Sequence, residues 1–478
     1  MKKIILSIAV LTTGIWTQAQ LQNPDFEQTE NSLPSAWKIE PNDLYLVKTD
    51  DVVKYSGKNS LQISNTADAS ASMQTFSQML PIQGSGFRKV RLSGYVRSEN
   101  ITGSIALYAY VKNGEKITID QGNSETQNHK ITANKDWKEY SLEFVVDDNA
   151  KNFLFGGFLS GNGKVWFDDF SVSEVPFSEK IASKEALTYI DEFKNIIKKN
   201  SIFKDKINWS SLENHLQIIS KGMETVDDTA LAIQYIMKNL KQAGDNHSFI
   251  DSKESFDKKS TSNPTAIEPE SQLLDQNIGY VMVPPFSSLN KEMGSSFAGK
   301  IQSMIRKLDT DYPIKGWIVD LRTNMGGNMH PMIAGLGPLT GEGVLGYFVD
   351  SKKKTPWKYA NGTCGAIIVL NPYVLQNPKA KIAVLMGSRT ASSGEATAIS
   401  FIGKDNVKTF GQPSAGYTSA NRGFKLSDGR NLLLAVSYEM DRTGKEYKEK
   451  IQPDISVAPS EKANTDAEVA AATQWIKE

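Results

Sequence analysis

Residues Lys381–Ser400 read KIAVLMGSRTASSGEATAIS. An apolar run of strand character gives way to a stretch of helical character, and small residues fill the seam from Gly387 to Gly394. One reading is a helix N-cap with an excess of Ser and Thr, Glu395 being favourable in the first turn. The other is a nucleophile exposed at a strand-to-helix turn, beside free backbone N–H groups and the positive end of the helix dipole.

Working outward from that seam, strands and helices alternate from about Asn277. IGYVMVP is followed by a helix through GSSFAGKIQSMIRKL, then KGWIVDLR, then KIAVLMG and its helix. This pattern predicts an α/β core on a mostly parallel sheet, spanning 275–478, with LSDGRNLLLAVSYE as a hairpin leaving it. Before it, residues 178–260 have helical periodicity and are expected to form a helical subdomain. SKEALTYIDEFKNIIKK sets Leu187, Ile190 and Ile197 on one side. SSLENHLQII offers a capping box, Ser210 with Glu213, and Gly244 stops a third helix. DSKESFDKKSTSNPTAIEPES reads as a polar loop. Residues 21–176 alternate with period two in VRLSGYVRSE, SIALYAYVKN, KEYSLEFVVDD and GKVWFDDFSVSEV, which predicts an all-β two-sheet sandwich or jelly roll.

The bulk properties narrow the partners. The chain has 478 residues and balances 54 basic against 54 acidic side chains, with a pI of about 6.9 and a mean hydropathy of −0.37. No nucleic-acid partner held by bulk charge is expected. MKKIILSIAVLTTGIWTQAQ, residues 1–20, has the basic start, short apolar stretch and small residues of a secretory signal peptide. An exported protein, periplasmic or extracellular, is therefore expected, with no membrane span. Cys364 is the single cysteine, which rules out an intrachain disulfide and a cysteine-based metal site and suits core packing.

Two resemblances add to this reading. In the first region NPDFEQ, LPSAWKI, SGKNSLQIS, DWKEYSLEFVV and VWFDDFSV resemble secreted galactose-binding-like, or carbohydrate-binding-module, jelly rolls. That implies a glycan or cell-surface ligand, with Trp37, Tyr108 and Tyr110 either stacking on a sugar or packing in the core. Further on, DNHS, IGYVMVPPF, GWIVDLRTNMGGN, AVLMGSRTASSGEATA, FGQPSAGYTSAN and IQPDISV occur in the order of the tail-specific, or C-terminal-processing, serine peptidases. Within these the chain is most similar to the tricorn-core and retinoid-binding-protein-like branch. The resemblance implies a crotonase-like α/β core.

The family pattern aligns Glu395 with the Glu of a Ser-Ala-Ser-Glu element, which makes Ser392 the nucleophile; Ser388 lies too early. The N–H of Ser393, and that of Gly326 or Gly327 in the glycine pair, would then hold the oxyanion. Many relatives use a lysine base downstream of the serine. Here Tyr417 stands at that place, so the tricorn-like histidine, His247 in DNHS, is expected as base, with His330 as its rival. The acidic third member is expected at Asp441, with Glu446 and Glu449 as alternatives, and Asn246 replaces the serine that precedes the histidine in the tricorn branch.

The expected function is a secreted serine peptidase acting on a peptide or protein through an acyl-enzyme, with no metal or organic cofactor. About 27 residues separate Ile250 from Gly279, which leaves no room for the family's PDZ domain. The alternative is a non-catalytic protein that binds apolar ligands or peptides on the same fold. An esterase is disfavoured because no Gly-x-Ser-x-Gly surrounds Ser392.

Overall fold

The longer strands of the N-terminal region are β1 (Tyr45–Asp50), β2 (Ser60–Asn65), β3 (Met73–Pro81), β4 (Arg88–Asn113), β5 (Ile117–Asn123), β6 (Lys138–Val146) and β7 (Asn152–Val175). The computed structural model describes residues 21–70, 72–114, 117–127, 129–132, 135–263, 267–458 and 466–478; the expected signal peptide lies outside them. The two longest strands, β4 and β7, pair antiparallel, with a register shift between Asn162 and Lys164. On one side of that shift β7 pairs with β3 and β4 with β5; on the other, β7 pairs with β2 and β4 with β6. Gly161 and Gly163, both at positive φ, mark the bend. The alternating side chains form one apolar core that includes Leu61, Phe76, Leu92, Leu107, Phe144 and Phe153. Trp37 belongs to it: its ring lies edge-on to Phe76 at 5.3 Å and its indole N–H donates to the Asn23 carbonyl. The sugar-stacking reading of Trp37 is thereby replaced by core packing. Tyr108 and Tyr110 are half-buried, with centroids 5.7 Å apart.

Three helices follow: α1 (Lys184–Asn200), α2 (Trp209–Ile219) and α3 (Ala230–Gln242). Ile190 and Ile197 are buried as expected, whereas Leu187 is exposed. The expected Ser210–Glu213 box does not start α2. Asn208 caps it instead, its side chain accepting from the Ser211 N–H, because the helix begins two residues earlier, at Trp209. The chain divides into two compact units that do not follow the expected boundaries. One unit runs to Lys194 and includes Lys206–Gly244; the other is Asn195–Asp205 with Asp245–Glu478. Buried polar contacts tie α3 to the strands: Lys238 Nζ donates to the Val145 carbonyl at 3.0 Å, and Gln234 Nε2 to Asp120 at 3.1 Å.

In the second unit the polar segment after Ile250 forms a short strand, β8 (Phe249–Asp251), and a helix, α4 (Lys253–Thr261), rather than a loop. Ser252 caps α4 by accepting from the Ser255 N–H, a local signal that the charged composition masked. The elements that follow are β9 (Glu270–Leu274), β10 (Ile278–Met282), α5 (Lys291–Asp311), β11 (Gly316–Asp320), α6 (Met329–Thr340), β12 (Gly343–Val349), β13 (Lys354–Tyr359), β14 (Lys381–Met386), α7 (Ser393–Ile399), β15 (Val407–Gly411), β16 (Ser419–Lys425), β17 (Asn431–Asp441), β18 (Ile455–Ser456) and α8 (Ala467–Lys477). One sheet has the order β9-β10-β11-β14-β15-β18 and is parallel except at β9. Its faces are buried under two apolar clusters, one including Phe297, Ile301, Leu336 and Phe401, the other Ala472 and Ile476 of α8. A second, antiparallel sheet centres on β17, which pairs with β8, β16 and β12. Because β11 and β14 are neighbours, the loops that leave their C-terminal ends emerge side by side, the usual position for chemistry on a parallel sheet.

Candidate active site

The loop after β14 places Ser392 immediately before α7 with φ 53° and ψ −122°. A non-glycine residue at positive φ costs on the order of 1–3 kcal/mol and persists only where its surroundings hold it. Glu395 supplies that hold. Its carboxylate accepts from the N–H groups of Ser392, Gly416 and Tyr417, each at 2.8 Å, and from the Ser414 hydroxyl. The result is a sharp strand-to-helix turn at Ser392, without a Gly-x-Ser-x-Gly sequence around it.

His247 meets this serine. Its Nε2 lies 2.8 Å from Ser392 Oγ, and its Nδ1 lies 3.0 Å from Ser419 Oγ on β16. The histidine loop is built by Asp245, whose carboxylate accepts from the N–H groups of His247 and Ser248 and from the Ser248 hydroxyl. Asn421 Nδ2 donates to the His247 carbonyl at 2.8 Å, and the Tyr417 ring lies parallel to the imidazole with centroids 5.4 Å apart. Burial pulls the imidazole pKa down to about 4, against a raising contribution from Ser419, so at neutral pH His247 is uncharged and can accept a proton.

The loop after β11 closes against the same turn. Asn324 donates to the carbonyls of Val283 and Pro284, and its own carbonyl accepts from the Ala391 N–H. A Cβ at Gly326 would lie 2.9 Å from the Ser393 nitrogen and 2.7 Å from the Ala391 carbonyl oxygen, so only glycine allows this approach. The two glycines differ in what their N–H groups do. That of Gly326 donates to Asn324 Oδ1 at 2.9 Å, whereas that of Gly327 has no acceptor among the described residues, nor has that of Ser393. Ser393 Oγ donates to the Gly327 carbonyl at 2.7 Å and fixes that peptide against the start of α7. Among the described residues no group of three His, Cys, Asp or Glu side chains converges as a metal ion would require.

Residues 277–457 match the model of Peptidase family S41. The nisin-resistance protein of Lactococcus lactis subsp. lactis is 33% identical over 323 residues, 66% of this chain and 92% of the relative. The chain belongs to peptidase family S41. The solved structure of a lipoprotein from Streptococcus agalactiae is 26% identical, covers 62% of this chain and 98% of its own, and has a TM-score of 0.50. The photosystem II D1 C-terminal processing protease is 14% identical over 62% of this chain and 98% of its own, with a TM-score of 0.42. S41 peptidases are serine-type hydrolases.

Against the S41 expectations, Ser392, His247, Ser393 and Gly327 come together and Asp441 does not join them. Asp441 lies at the end of β17, where its carboxylate accepts from the N–H groups of Thr443 and Lys445 and the hydroxyls of Thr443 and Tyr447. It closes the turn after β17, and the sequence could not separate that task from orienting a histidine. Glu446 pairs with Lys448, and Glu449 contributes only its carbonyl, to Thr418 Oγ1. The rival histidine, His330, sits on α6 with Nδ1 3.3 Å from Asn328 Oδ1 and its ring against Gly365. Cys364 is buried, its thiol pushed up to about 12 by burial, in an apolar cluster. Sequence reasoning missed Ser419 and the hold of Glu395 on the 414–417 loop. PSAGYTSAN held both partners, but as small polar residues they gave no sign of what they would face.

Proposed function

We propose that this chain is an exported serine peptidase in which Ser392 is the nucleophile and His247 the general base. The observation that carries the reading is the 2.8 Å contact between His247 Nε2 and Ser392 Oγ at a turn flanked by unused N–H groups. The hydroxyl proton passes to Nε2 as Oγ bonds to the substrate carbonyl carbon. The N–H groups of Gly327 and Ser393 take the oxyanion. His247 then gives its proton to the leaving amine as the C–N bond breaks, and water activated by the same imidazole releases the acid and regenerates Ser392.

Three large apolar side chains stand exposed beside the site: Met325 next to Gly326, Tyr417 against His247, and Phe249 at the start of β8, two residues beyond His247. They favour a peptide with apolar residues flanking the scissile bond. Export is supported by the leader sequence and by relatives that include a lipoprotein. We read the β-rich region as a galactose-binding-like jelly roll, with Tyr108 and Tyr110 as its most suitable sugar platform. The α/β unit is read as a crotonase-like core without a PDZ domain, since β8, α4 and β9 occupy the interval. The test is hydrolysis of a peptide panel, nisin included, by wild type and Ser392→Ala. Cleavage by wild type alone supports a peptidase. Binding of peptides by both, with cleavage by neither, supports the non-catalytic alternative.

A further inference from the structure

We infer that Ser419 is the positioning residue for His247, its hydroxyl standing where a carboxylate would otherwise face Nδ1. This rests on the reading of Ser392 and His247 as nucleophile and base. Ser419 Oγ lies 3.0 Å from Nδ1, and Ser392 Oγ lies 2.8 Å from Nε2, so each ring nitrogen has one hydroxyl partner. For Nε2 to accept the Ser392 proton, Nδ1 must carry the ring proton, and Ser419 Oγ must accept it. Without that acceptor the imidazole is free to hold its proton on Nε2, which is the wrong tautomer for a base.

The placement of Ser419 is rigid. It is buried, it pairs with Tyr438 of β17, and the residue before it is held twice: the Thr418 carbonyl accepts from the Glu439 N–H, and Thr418 Oγ1 donates to the Glu449 carbonyl. Past the bulge between Ala420 and Asn421, the Asn421 amide holds the His247 backbone. Strand β16 therefore fixes the histidine by ring and by main chain.

Three carboxylates nearby are committed elsewhere, and a fourth, Glu439 of β17, is buried beside Glu395, which with burial raises its pKa and favours its neutral form. Asp245 holds the backbone of its own loop, Glu395 of α7 holds Ser392 and the 414–417 loop, and Asp441 closes the turn after β17. A neutral hydroxyl fixes the tautomer as well as a carboxylate does but stabilises an imidazolium far less. The expected consequence is a base that stays unprotonated, and active, well into the acid range.

The test combines the pH dependence of kcat/KM with 15N NMR of His247 in wild type, Ser419→Ala, Ser419→Thr and Ser419→Asp. The wild type should show the proton on Nδ1. Ser419→Ala should populate the other tautomer and lower kcat by about 10- to 100-fold with KM little changed, and Ser419→Thr should restore both. Ser419→Asp should raise the pKa of His247 and move the acid limb upward by about one pH unit or more. Wild-type kcat and an unchanged tautomer in Ser419→Ala would overturn the assignment. The NMR arm does not depend on turnover. A tautomer set by Ser419 in a protein whose hydrolysis survives Ser392→Ala would contradict Ser392 as the nucleophile while sustaining Ser419 as the residue that positions His247.

Discussion

The aromatic core of the β-rich unit and the turn that leads into α7 in the other unit are built from different material. Around Phe76 in the β-rich unit the packing is aromatic: Phe26, Trp37, Phe167 and Phe170 all lie within 6.0 Å of it, centroid to centroid. Around α7 in the other unit the buried side chains include the polar Asn324, Thr390, Glu395, Thr397, Ser414 and Ser419 beside the apolar Ala396, Ala398 and Ile399 of the helix itself. Aromatic burial stabilises a fold by area and says little about chemistry. Buried polar groups cost stability unless each finds a partner, so a dense, partnered set marks a place where geometry is being held for a purpose. The difference teaches where to look for function in a chain of this kind: at the polar residues that the α/β unit hides, ahead of the rings that the sandwich stacks.

Substitutions in the two cores should therefore separate activity from stability. His247→Ala should lower kcat/KM by about four orders of magnitude or more with little change in Tm, while His330→Ala should leave turnover near wild type. Gly327→Ala should cost about 10²- to 10³-fold in kcat, since its N–H is one of two unused donors and an added Cβ would come within 2.2 Å of the Phe286 carbonyl oxygen. Phe76→Ala should do the reverse, losing about 3–5 kcal/mol of stability with kcat unchanged wherever the protein remains folded. If Phe76→Ala abolished turnover at full folding, the contrast between the units would fail.

Two pH effects sharpen the comparison further. With the His247 pKa near 4, activity should hold from neutral pH down to about 4, rather than fall near the ordinary histidine value of about 6.5. The same shift acts on stability. The unfolded chain binds this proton more readily, so the contribution of neutral His247 is present above about 6.5 and is lost as pH falls through about 4. Glu439 acts in the opposite sense. Burial, reinforced by neighbouring Glu395, raises its pKa, and its Oε2 has no hydrogen-bond partner. Its neutral form favours the fold at low pH and that contribution is lost as pH rises, so Glu439→Gln should flatten the alkaline decline in Tm.

Much of this was legible in the sequence, for identifiable reasons. The strand-turn-helix seam at Gly387–Ser393 and the glycine pair at 326–327 are local in sequence, and both read correctly as features of one parallel sheet. Period-two alternation gave the strands of the first region, including the two long ones. What could not be read was selection among equivalents brought together by distant pairing. Gly326 and Gly327 are interchangeable as residue types; only the Asn324 side chain, which occupies the N–H of the first, separates them. Asp441 has the right chemistry for a triad, but its turn consumes it. Ser419 reaches His247 across 172 residues through the register of β16 on β17, which composition does not encode.

The central claim is that Ser392 is a nucleophile activated by His247. It is tested most directly by labelling the folded protein with a fluorophosphonate and mapping the adduct by mass spectrometry. The account predicts a single adduct on Ser392, formed far more slowly in His247→Ala and at an unchanged rate in His330→Ala. An adduct on another serine, or equally fast labelling of Ser392 without His247, would contradict it.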